Sequence, residues 1–305
     1  MGKGHLEPPP TDTLSHRIPV LALGDDAPVD DNAYELIDAG DGRRLERFGD
    51  MIVDRPAPMA DQPIRDPSAW ARADLKFRRY AGWESIADTE PGPWLVRHGE
   101  LTFELRPTET GQVGLFPEQA SNWAWLRGAL HGEEPFSVMN LFAYTGAATL
   151  AAAASGASVT HVDGSRPTVA WARRNAELSG LAAAPIRWIV DDVEAFVARE
   201  LRRDRRYDVV ILDPPSYGHG RGGRAWRLED RLGELLDACA AATNGDPTFA
   251  LLTAHTPGFD AGRLGEELAR SFHRRPSQVQ TGDLELRAKS GAHLRLGAFA
   301  RIIRG

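Results

Sequence analysis

The sequence predicts a doubly wound α/β domain whose last strand is antiparallel, preceded by a small, mainly β module. From Phe136 onward, short apolar runs alternate with longer helical patterns, which is typical of a parallel sheet covered on both faces. Two extended stretches around Ser290-Gly291 predict a closing β-hairpin. The strands are expected near 136–141, 158–162, 186–190, 207–212 and 247–254, and the helices near 146–155, 165–179, 192–203, 226–243 and 260–273.

Composition divides the chain into three parts. Residues 1–16 are rich in Pro and contain no apolar signal core, so we expect a flexible tail. A small, mainly β module is expected over 17–118 and a larger domain over 119–305, which begins with a helix from Ala120 to Leu130.

The amino-terminal module shows short strand patterns separated by turns. Tyr34 to Val53 is typical of a strand pair that turns at Gly40-Asp41-Gly42, and 54–67, rich in Pro and Asp, of a loop. Further short strands are expected at Trp94–Val96, Leu101–Leu105 and Val113–Phe116.

Charge, cysteine content and hydropathy limit the possible functions. The net charge of −7 is unusual for a protein that binds nucleic acid, although the carboxyl-terminal end is locally basic. The single cysteine excludes an intramolecular disulfide, and no spacing of potential ligands indicates a metal site. No apolar run reaches about 18 residues, so we expect a cytoplasmic protein without a membrane span.

Acidic residues follow three of the predicted strands. Asp163 ends the second strand, Asp191-Asp192 the third, and Asp213-Pro214-Pro215-Ser216-Tyr217 follows the fourth. The carboxyl ends of parallel strands meet at one edge, where one carboxylate can bind a ribose diol and another a base. Alternatively, Asp163 is the N-cap of the helix that follows the second strand, a role that Ser165 could also fill. For the helix that follows the third strand, Asp192 is the favoured N-cap.

The loop after the first strand can pass close to a nucleoside cofactor. It runs from Asn140 through Phe142, Tyr144 and Thr145 to Gly146, and the glycine permits close approach or an unusual φ. A dinucleotide is the weaker alternative, because the motif G-x-G-x-x-G is absent.

The chain resembles class I S-adenosylmethionine-dependent methyltransferases in four motifs and in their order. These are Asn140-Leu-Phe-Ala-Tyr-Thr-Gly146, Asp163, Asp191-Asp192-Val193 and Asp213-Pro-Pro215. The chain is more narrowly similar to the bacterial branch that methylates bases of 23S ribosomal RNA, which also has a segment like Leu115-Phe-Pro-Glu-Gln119. The likeness covers about 110–255. It implies a Rossmann-like fold, S-adenosylmethionine as cofactor, ribosomal RNA as partner, and 119–305 as the catalytic domain.

The resemblance also implies site residues. The catalytic residues would be Asp213, near the transferred methyl group, Pro214, and Tyr217, which would stack on a base. The cofactor-binding residues would be Gln119, Asn140, Phe142, Tyr144, Thr145, Gly146, Asp163, Gly164, Ser165, Asp191, Asp192 and Asp213.

Two departures from the family narrow the chemistry. Relatives that methylate cytosine at carbon 5 carry a nucleophilic Cys after the fifth strand, but this chain has Leu252-Thr-Ala-His-Thr256 there, and Cys239 lies in a predicted buried helix. Ribose methylation usually relies on a lysine, and Lys3, Lys76 and Lys289 lie outside the motifs. We therefore expect in-line transfer to a nitrogen, with Asp213 and the proline carbonyls as hydrogen-bond acceptors.

Several alternatives stay open. One alternative is a methyltransferase that acts on a small molecule or a protein. Another is a protein that binds the cofactor without catalysis. For the oligomeric state, a monomer and a homodimer are both open. The Arg residues and Trp226 of the segment 218–227 contact RNA phosphates and a base, or Trp226 is the first buried residue before the next helix. His219 and His255 are candidate proton acceptors, or ordinary surface or core histidines.

Overall fold

Five short strands form the first sheet of the molecule. The computed structural model describes residues 33–86, 92–131, 135–219, 225–243 and 249–302. The strands follow chain order across this sheet: β1 (Tyr34–Gly40), β2 (Arg43–Phe48), β3 (Met51–Pro56), β4 (Leu75–Arg78) and β5 (Gly82–Ser85). Only β3 and β4 run parallel, with the short helix α1 (Pro67–Trp70) between them.

Three details of this module differ from prediction. Where a strand pair was expected, the structure has a three-stranded meander, β1 to β3, with a second turn at Gly49-Asp50. The first three residues of the expected loop 54–67 belong to strand β3. The expected strand Val113–Phe116 is wrong. This segment is irregular, and its Val113 and Leu115 are buried because they pack in the core, not because they pair in a sheet.

A β-hairpin and a helix connect this module to the main sheet. The hairpin consists of β6 (Trp94–His98) and β7 (Leu101–Leu105), both confirmed as strands, and helix α2 (Ala120–Ala129) follows a 3-10 turn at Pro117–Gln119. The hairpin packs on the main domain: Thr102 N and Glu104 N donate to Ser179 Oγ (3.0 Å) and Asn175 Oδ1 (2.9 Å).

The main sheet has seven strands, and the predicted doubly wound architecture is confirmed. In chain order its strands and helices are β8 (Ser137–Leu141), α3 (Ala147–Ala154), β9 (Ser158–Asp163), α4 (Arg166–Leu178), β10 (Ile186–Val190), α5 (Val193–Arg202), β11 (Val209–Leu212), α6 (Leu228–Ala241), β14 (Phe249–Ala254), α7 (Ala261–Ser271), β15 (Val279–Arg287) and β16 (His293–Ile302). Between β11 and α6 lies a two-stranded ribbon of β12 (Tyr217–His219) and β13 (Ala225–Arg227).

The strand order across the main sheet is β10-β9-β8-β11-β14-β16-β15. The five strands from β10 to β14 are parallel, and the last strand, β16, is antiparallel to both of its neighbours. All four residues of the central strand β11 are buried, as expected for a sheet covered on both faces. Because the parallel strands share one direction, their carboxyl ends form a single edge, which carries the predicted acids.

The amino-terminal module shares its core with the main domain. Phe48, Val53 and Leu75 of the first sheet belong to one buried cluster with Trp123 and Leu150 of helices α2 and α3. The first sheet also packs on the closing hairpin β15–β16. The domain boundary between 118 and 119 stays a prediction, and these contacts show that it does not separate two hydrophobic cores.

Two sequence expectations concern membranes and metals. Among the helices in the described ranges, none combines the length and the apolar character needed to cross a bilayer. Within the same residues, no group of three or more His, Cys, Asp and Glu side chains is arranged to hold a metal ion.

Candidate active site

A pocket with an empty volume of about 520 Å³ opens at the carboxyl edge of the main sheet. Its walls are the loop after β8, the segment before α2, and the ends of β11 and β14. It brings together many of the residues predicted to bind the cofactor: Gln119, Asn140, Phe142, Tyr144, Thr145, Gly146 and Asp213. Its mainly apolar walls with few polar groups are typical of a small-molecule site.

The loop from Phe142 to Gly146 forms one wall through an unusual backbone. Phe142, Tyr144 and Gly146 all have positive φ, at 54°, 49° and 93°. For the two aromatic residues this conformation is strained, so surrounding contacts must hold it. At Gly146 a β-carbon would lie 3.1 Å from Ala172 Cβ. Glycine therefore fits both the backbone and the space at this position.

Asp163 supplies one of the contacts that hold this loop. Its Oδ2 accepts from Tyr144 N and its Oδ1 from Ser165 N, both at 2.9 Å. Burial raises the pKa of Asp163, and the two backbone hydrogen bonds partly counter that effect. Ser165 caps α4 by accepting from Thr168 N (3.3 Å), so the alternative role of Asp163 as this cap is wrong.

Asn140 is positioned by a buried chain of hydrogen bonds. Its Nδ2 donates to Thr149 Oγ1 (2.8 Å), which lies 2.9 Å from His161 Nδ1. Burial lowers the pKa of His161 to about 3, so the imidazole is neutral. Thr149 can therefore donate to Nδ1 while accepting from Asn140, which orients the Asn140 amide at the pocket wall.

The two acidic residues after β10, Asp191 and Asp192, have different contacts. Asp192 caps α5 by accepting from Ala195 N (2.9 Å), which confirms the favoured interpretation. Asp191 forms an ion pair with Arg199 and accepts from Asp192 N (2.9 Å). Neither side chain lines the 520 Å³ pocket, and binding of a base by Asp191 stays a prediction.

Asp213 lines the pocket directly after the end of β11. Its Oδ1 accepts from Thr253 Oγ1 at 2.5 Å and its Oδ2 from Gln119 Nε2 at 3.3 Å. Gln119 Oε1 in turn accepts from Asn122 Nδ2 (2.8 Å), which turns the amide nitrogen of Gln119 toward Asp213. The Asp213 side chain is 32% exposed, so it is anchored and still accessible from the pocket.

The residues after Asp213 lie outside the pocket. Pro214 is buried, and the Pro215 carbonyl accepts from Trp226 Nε1 (2.9 Å). Trp226 is buried against Phe142, with ring centroids 5.5 Å apart. The prediction that Trp226 is a buried residue is therefore confirmed, and the alternative prediction that it contacts an RNA base is wrong. Tyr217 is 58% exposed and lines a separate surface depression with Arg227. Residues 220–224 and the His219 side chain lie outside the described part of the chain.

Thr253 is a site residue that the sequence interpretation missed. A signal for it exists, because Leu212 and Leu252 are paired across β11 and β14 and the next residues, Asp213 and Thr253, therefore meet at the carboxyl edge. The approach of His255 to Asp213 (Nε2 to Oδ1, 3.6 Å) has no such signal, since it depends on the path of the chain after β14.

The polar groups in and beside the pocket suit S-adenosylmethionine. Asp163 is not one of the lining residues, but it accepts from the backbone of Tyr144, which is one. The Asp163 carboxylate uses two of about four lone-pair positions on the backbone, which leaves acceptors for ribose hydroxyls. The missing β-carbon at Gly146 makes room for Ala172 of α4 and so lets the loop pack closely on that helix beside the pocket.

Comparisons with known proteins agree with this fit. The family model for S-adenosylmethionine-dependent methyltransferases matches residues 72–250. The structure of a SAM-dependent methyltransferase from Agrobacterium tumefaciens is 36% identical, with a TM-score of 0.83, covering 89% of this chain and 90% of that one.

Two curated relatives are shorter matches. Ribosomal RNA large subunit methyltransferase K/L of Allochromatium vinosum is 45% identical over 148 residues, which are 47% of this chain and 20% of that protein. Ribosomal RNA large subunit methyltransferase I of Alteromonas mediterranea is 26% identical over 214 residues, 61% of this chain and 51% of that protein. The chain thus matches about a fifth and about half of the length of these two relatives.

The family model covers more than half of the chain, and the fold and the pocket agree with it. The chain therefore belongs to the S-adenosylmethionine-dependent methyltransferases and is an enzyme that uses this cofactor.

Proposed function

We propose that this enzyme methylates a nitrogen of a base in large-subunit (23S) ribosomal RNA. The names of its curated relatives support the substrate class. The observation that carries the proposal is Asp213, an anchored and accessible hydrogen-bond acceptor at the pocket wall. A target N–H can donate to this carboxylate and so be aligned for transfer.

The cofactor would occupy the pocket beside the loop after β8. It supplies an electrophilic methyl group bound to a sulfonium sulfur. Asn140, Tyr144, Thr145 and Gly146 would wall its binding site, and Gln119 would lie close to the methyl group. Asp163 would accept from the ribose hydroxyls, with Gly164 and Ser165 completing the loop at that edge.

The base of the cofactor would lie toward the end of β10. Asp191 would accept from its amino group, and its ion pair with Arg199 holds this carboxylate in place. Asp192 would contribute by holding the first turn of α5 in place.

A nitrogen target is favoured over carbon 5 of a pyrimidine. That reaction needs a thiolate, but Cys239 is fully buried in α6, and burial raises the pKa of its thiol. A ribose oxygen is disfavoured as well, because Lys76 pairs with Asp54 (3.1 Å) in the first sheet and Lys289 with Glu35 (3.7 Å). A nitrogen already carries a lone pair, so alignment is the main requirement.

The surface depression lined by Tyr217 and Arg227 offers groups for an RNA strand. Tyr217 is exposed and is paired in register with Arg227 across the β12–β13 ribbon. An exposed aromatic ring can stack on a base, and a neighbouring guanidinium can contact a phosphate.

Methyl transfer to ribosomal RNA tests this proposal. We expect label from tritiated S-adenosylmethionine in 23S rRNA from a strain that lacks the gene, and none in rRNA from the wild type. Mass spectrometry of nuclease fragments should place the label on a base nitrogen. Label on a protein or a small molecule alone would contradict the proposal and favour the alternative substrates.

The variant Asp213→Ala tests the role of the carboxylate. We expect S-adenosylmethionine to bind within about threefold of the wild-type affinity by calorimetry, while transfer falls at least 100-fold, a loss of about 2.7 kcal/mol of transition-state stabilisation. Asp208→Ala, which removes a carboxylate at the opposite edge of the sheet, is the control. A fully active Asp213→Ala would exclude Asp213 from the chemistry.

A further inference from the structure

His255 follows β14 and lies against Asp213. Its Nε2 is 3.6 Å from Asp213 Oδ1 and 3.5 Å from Gln119 Nε2, and both of these partners line the pocket. The Phe116 ring packs beside the imidazole, with centroids 5.9 Å apart. The His255 side chain is 30% exposed, so it can exchange protons with solvent.

The tautomer of His255 follows from its second ring nitrogen. Nδ1 lies 3.0 Å from the Leu296 carbonyl oxygen, which can only accept, so Nδ1 carries the hydrogen. In the neutral ring, the lone pair of Nε2 then faces Asp213 and accepts the long hydrogen bond from Gln119 Nε2. Gly297 makes room for this arrangement, because a β-carbon there would lie 3.2 Å from His255 Nδ1 and 2.4 Å from the Ala254 carbonyl oxygen.

Two carboxylates surround the imidazole. Besides Asp213, Glu118 lies 4.0 Å from Nδ1 through Oε1. Glu118 is only 5% exposed, and its Oε2 has no hydrogen-bond partner among the residues that the structure describes. Arg44 of β2 also interacts electrostatically with Glu118. Negative charge on two sides stabilises an imidazolium once His255 has gained a proton.

We propose that His255 is the proton acceptor of the methylation reaction and that Glu118 is a positioning residue that supports its charged form. The lone pair of the target nitrogen forms the bond to the methyl carbon, and the methyl–sulfur bond breaks with its electron pair kept by sulfur. The proton on that nitrogen passes to His255 Nε2 and from there to water. The inference rests on the proposed function and adds that the target is an exocyclic amine or a ring N–H.

Three variants test this role: His255→Gln, Glu118→Gln, and the control His131→Gln, which changes an exposed histidine after α2. Single-turnover transfer to 23S rRNA is measured against pH at saturating cofactor, and cofactor affinity by calorimetry. We expect His255→Gln to lower the rate by about 100-fold or more and to remove the rise in rate between about pH 5 and 8. Affinity should stay within about threefold.

Glu118→Gln should lower the rate less and move the midpoint of the pH–rate profile to lower pH, because the imidazolium loses a neighbouring charge. His131→Gln should match the wild type in rate and pH profile. Nitrogen-15 NMR of the cofactor-free protein is independent of substrate, and it should show the Nδ1–H tautomer for His255.

Each contrary outcome identifies what has failed. An Nε2–H tautomer overturns the inference, whatever the RNA result. Wild-type rate and pH profile in His255→Gln, or methylation of a ring nitrogen that carries no hydrogen, overturns it and leaves the proposed function standing. A wild-type protein that binds the cofactor but labels no 23S rRNA overturns both.

Discussion

Replacing Asp163 by alanine should weaken cofactor binding and destabilise the fold together. The carboxylate accepts from two backbone N–H groups, of Tyr144 and Ser165, each at 2.9 Å. A hydrogen bond to a charged group contributes about 1.5–3 kcal/mol, so two would contribute about 3–6 kcal/mol. Burial of the charge opposes this sum and outweighs the two hydrogen bonds in the pKa of Asp163, which is raised. The loss on substitution therefore comes from the two N–H groups that are left without an acceptor, at about 1–3 kcal/mol each. We expect the free energy of unfolding to fall by about 2 kcal/mol.

The effect on the cofactor follows from the position of Tyr144 in the pocket wall. Without Asp163 the strained loop loses a contact that holds Tyr144 at positive φ, and the ribose loses its acceptor. We expect affinity for S-adenosylmethionine to fall at least tenfold, or about 1.4 kcal/mol. Asp163→Asn keeps one acceptor oxygen but turns an NH₂ toward the other donor, so its losses should be intermediate.

Urea unfolding followed by circular dichroism and calorimetric titration with S-adenosylmethionine measure the two effects. Asp208→Ala is the matched control, since Asp208 Oδ2 also accepts two hydrogen bonds, from Ser137 N (2.8 Å) and Ser137 Oγ (2.7 Å), at the amino ends of the strands. It should lose stability and keep the wild-type affinity. Wild-type affinity in a folded Asp163→Ala protein would refute the assignment of Asp163 to the cofactor site.

Three further substitutions test separate parts of the structure. Gly146→Ala should cost at least about 1–2 kcal/mol of stability, because of its positive φ and its approach to Ala172; unchanged urea unfolding would contradict this. Cys239→Ser should keep methyl transfer while losing about 1–3 kcal/mol from a buried hydroxyl, and an inactive folded variant would contradict the proposed chemistry. Burial lowers the pKa of His161 from 6.5 to about 3, so only the unfolded chain gains its proton over this range, and stability should fall with decreasing pH by about 1.4 kcal/mol per unit. His161→Gln should remove this part of the slope in urea unfolding at several pH values; equal slopes would exclude it.

The main sheet was predictable because its signals are local. Each of its predicted strands and the helices between them lies within two residues of the structure, since apolar runs and helical periods are written in consecutive residues. The cap role of Asp192 was predictable for the same reason: an N-cap bonds to an amide three residues later. The rest of the first sheet was less predictable, because strands β4 and β5 have four residues each and are too short to show a period.

Some residues could be assigned only from contacts between distant segments. Trp226 follows a Gly-rich and Arg-rich stretch, a context that suits an exposed ligand contact as well as a buried residue. Its hydrogen bond to the Pro215 carbonyl and its packing on Phe142, 84 positions earlier, place it in the core. Val113 and Leu115 likewise have the composition of a strand, yet they fill the core beside Trp123.

The sequence by itself determined the sheet and the edge that carries Asp163, Asp191 and Asp213, because parallel strands must end on the same side. Tertiary structure alone decided what these carboxylates face: a loop amide for Asp163, Arg199 for Asp191, and Gln119, Thr253 and His255 for Asp213. The physical reason is that the direction of a strand is a property of neighbouring residues, whereas a hydrogen-bond partner 40 or 94 positions away is fixed only when the chain packs.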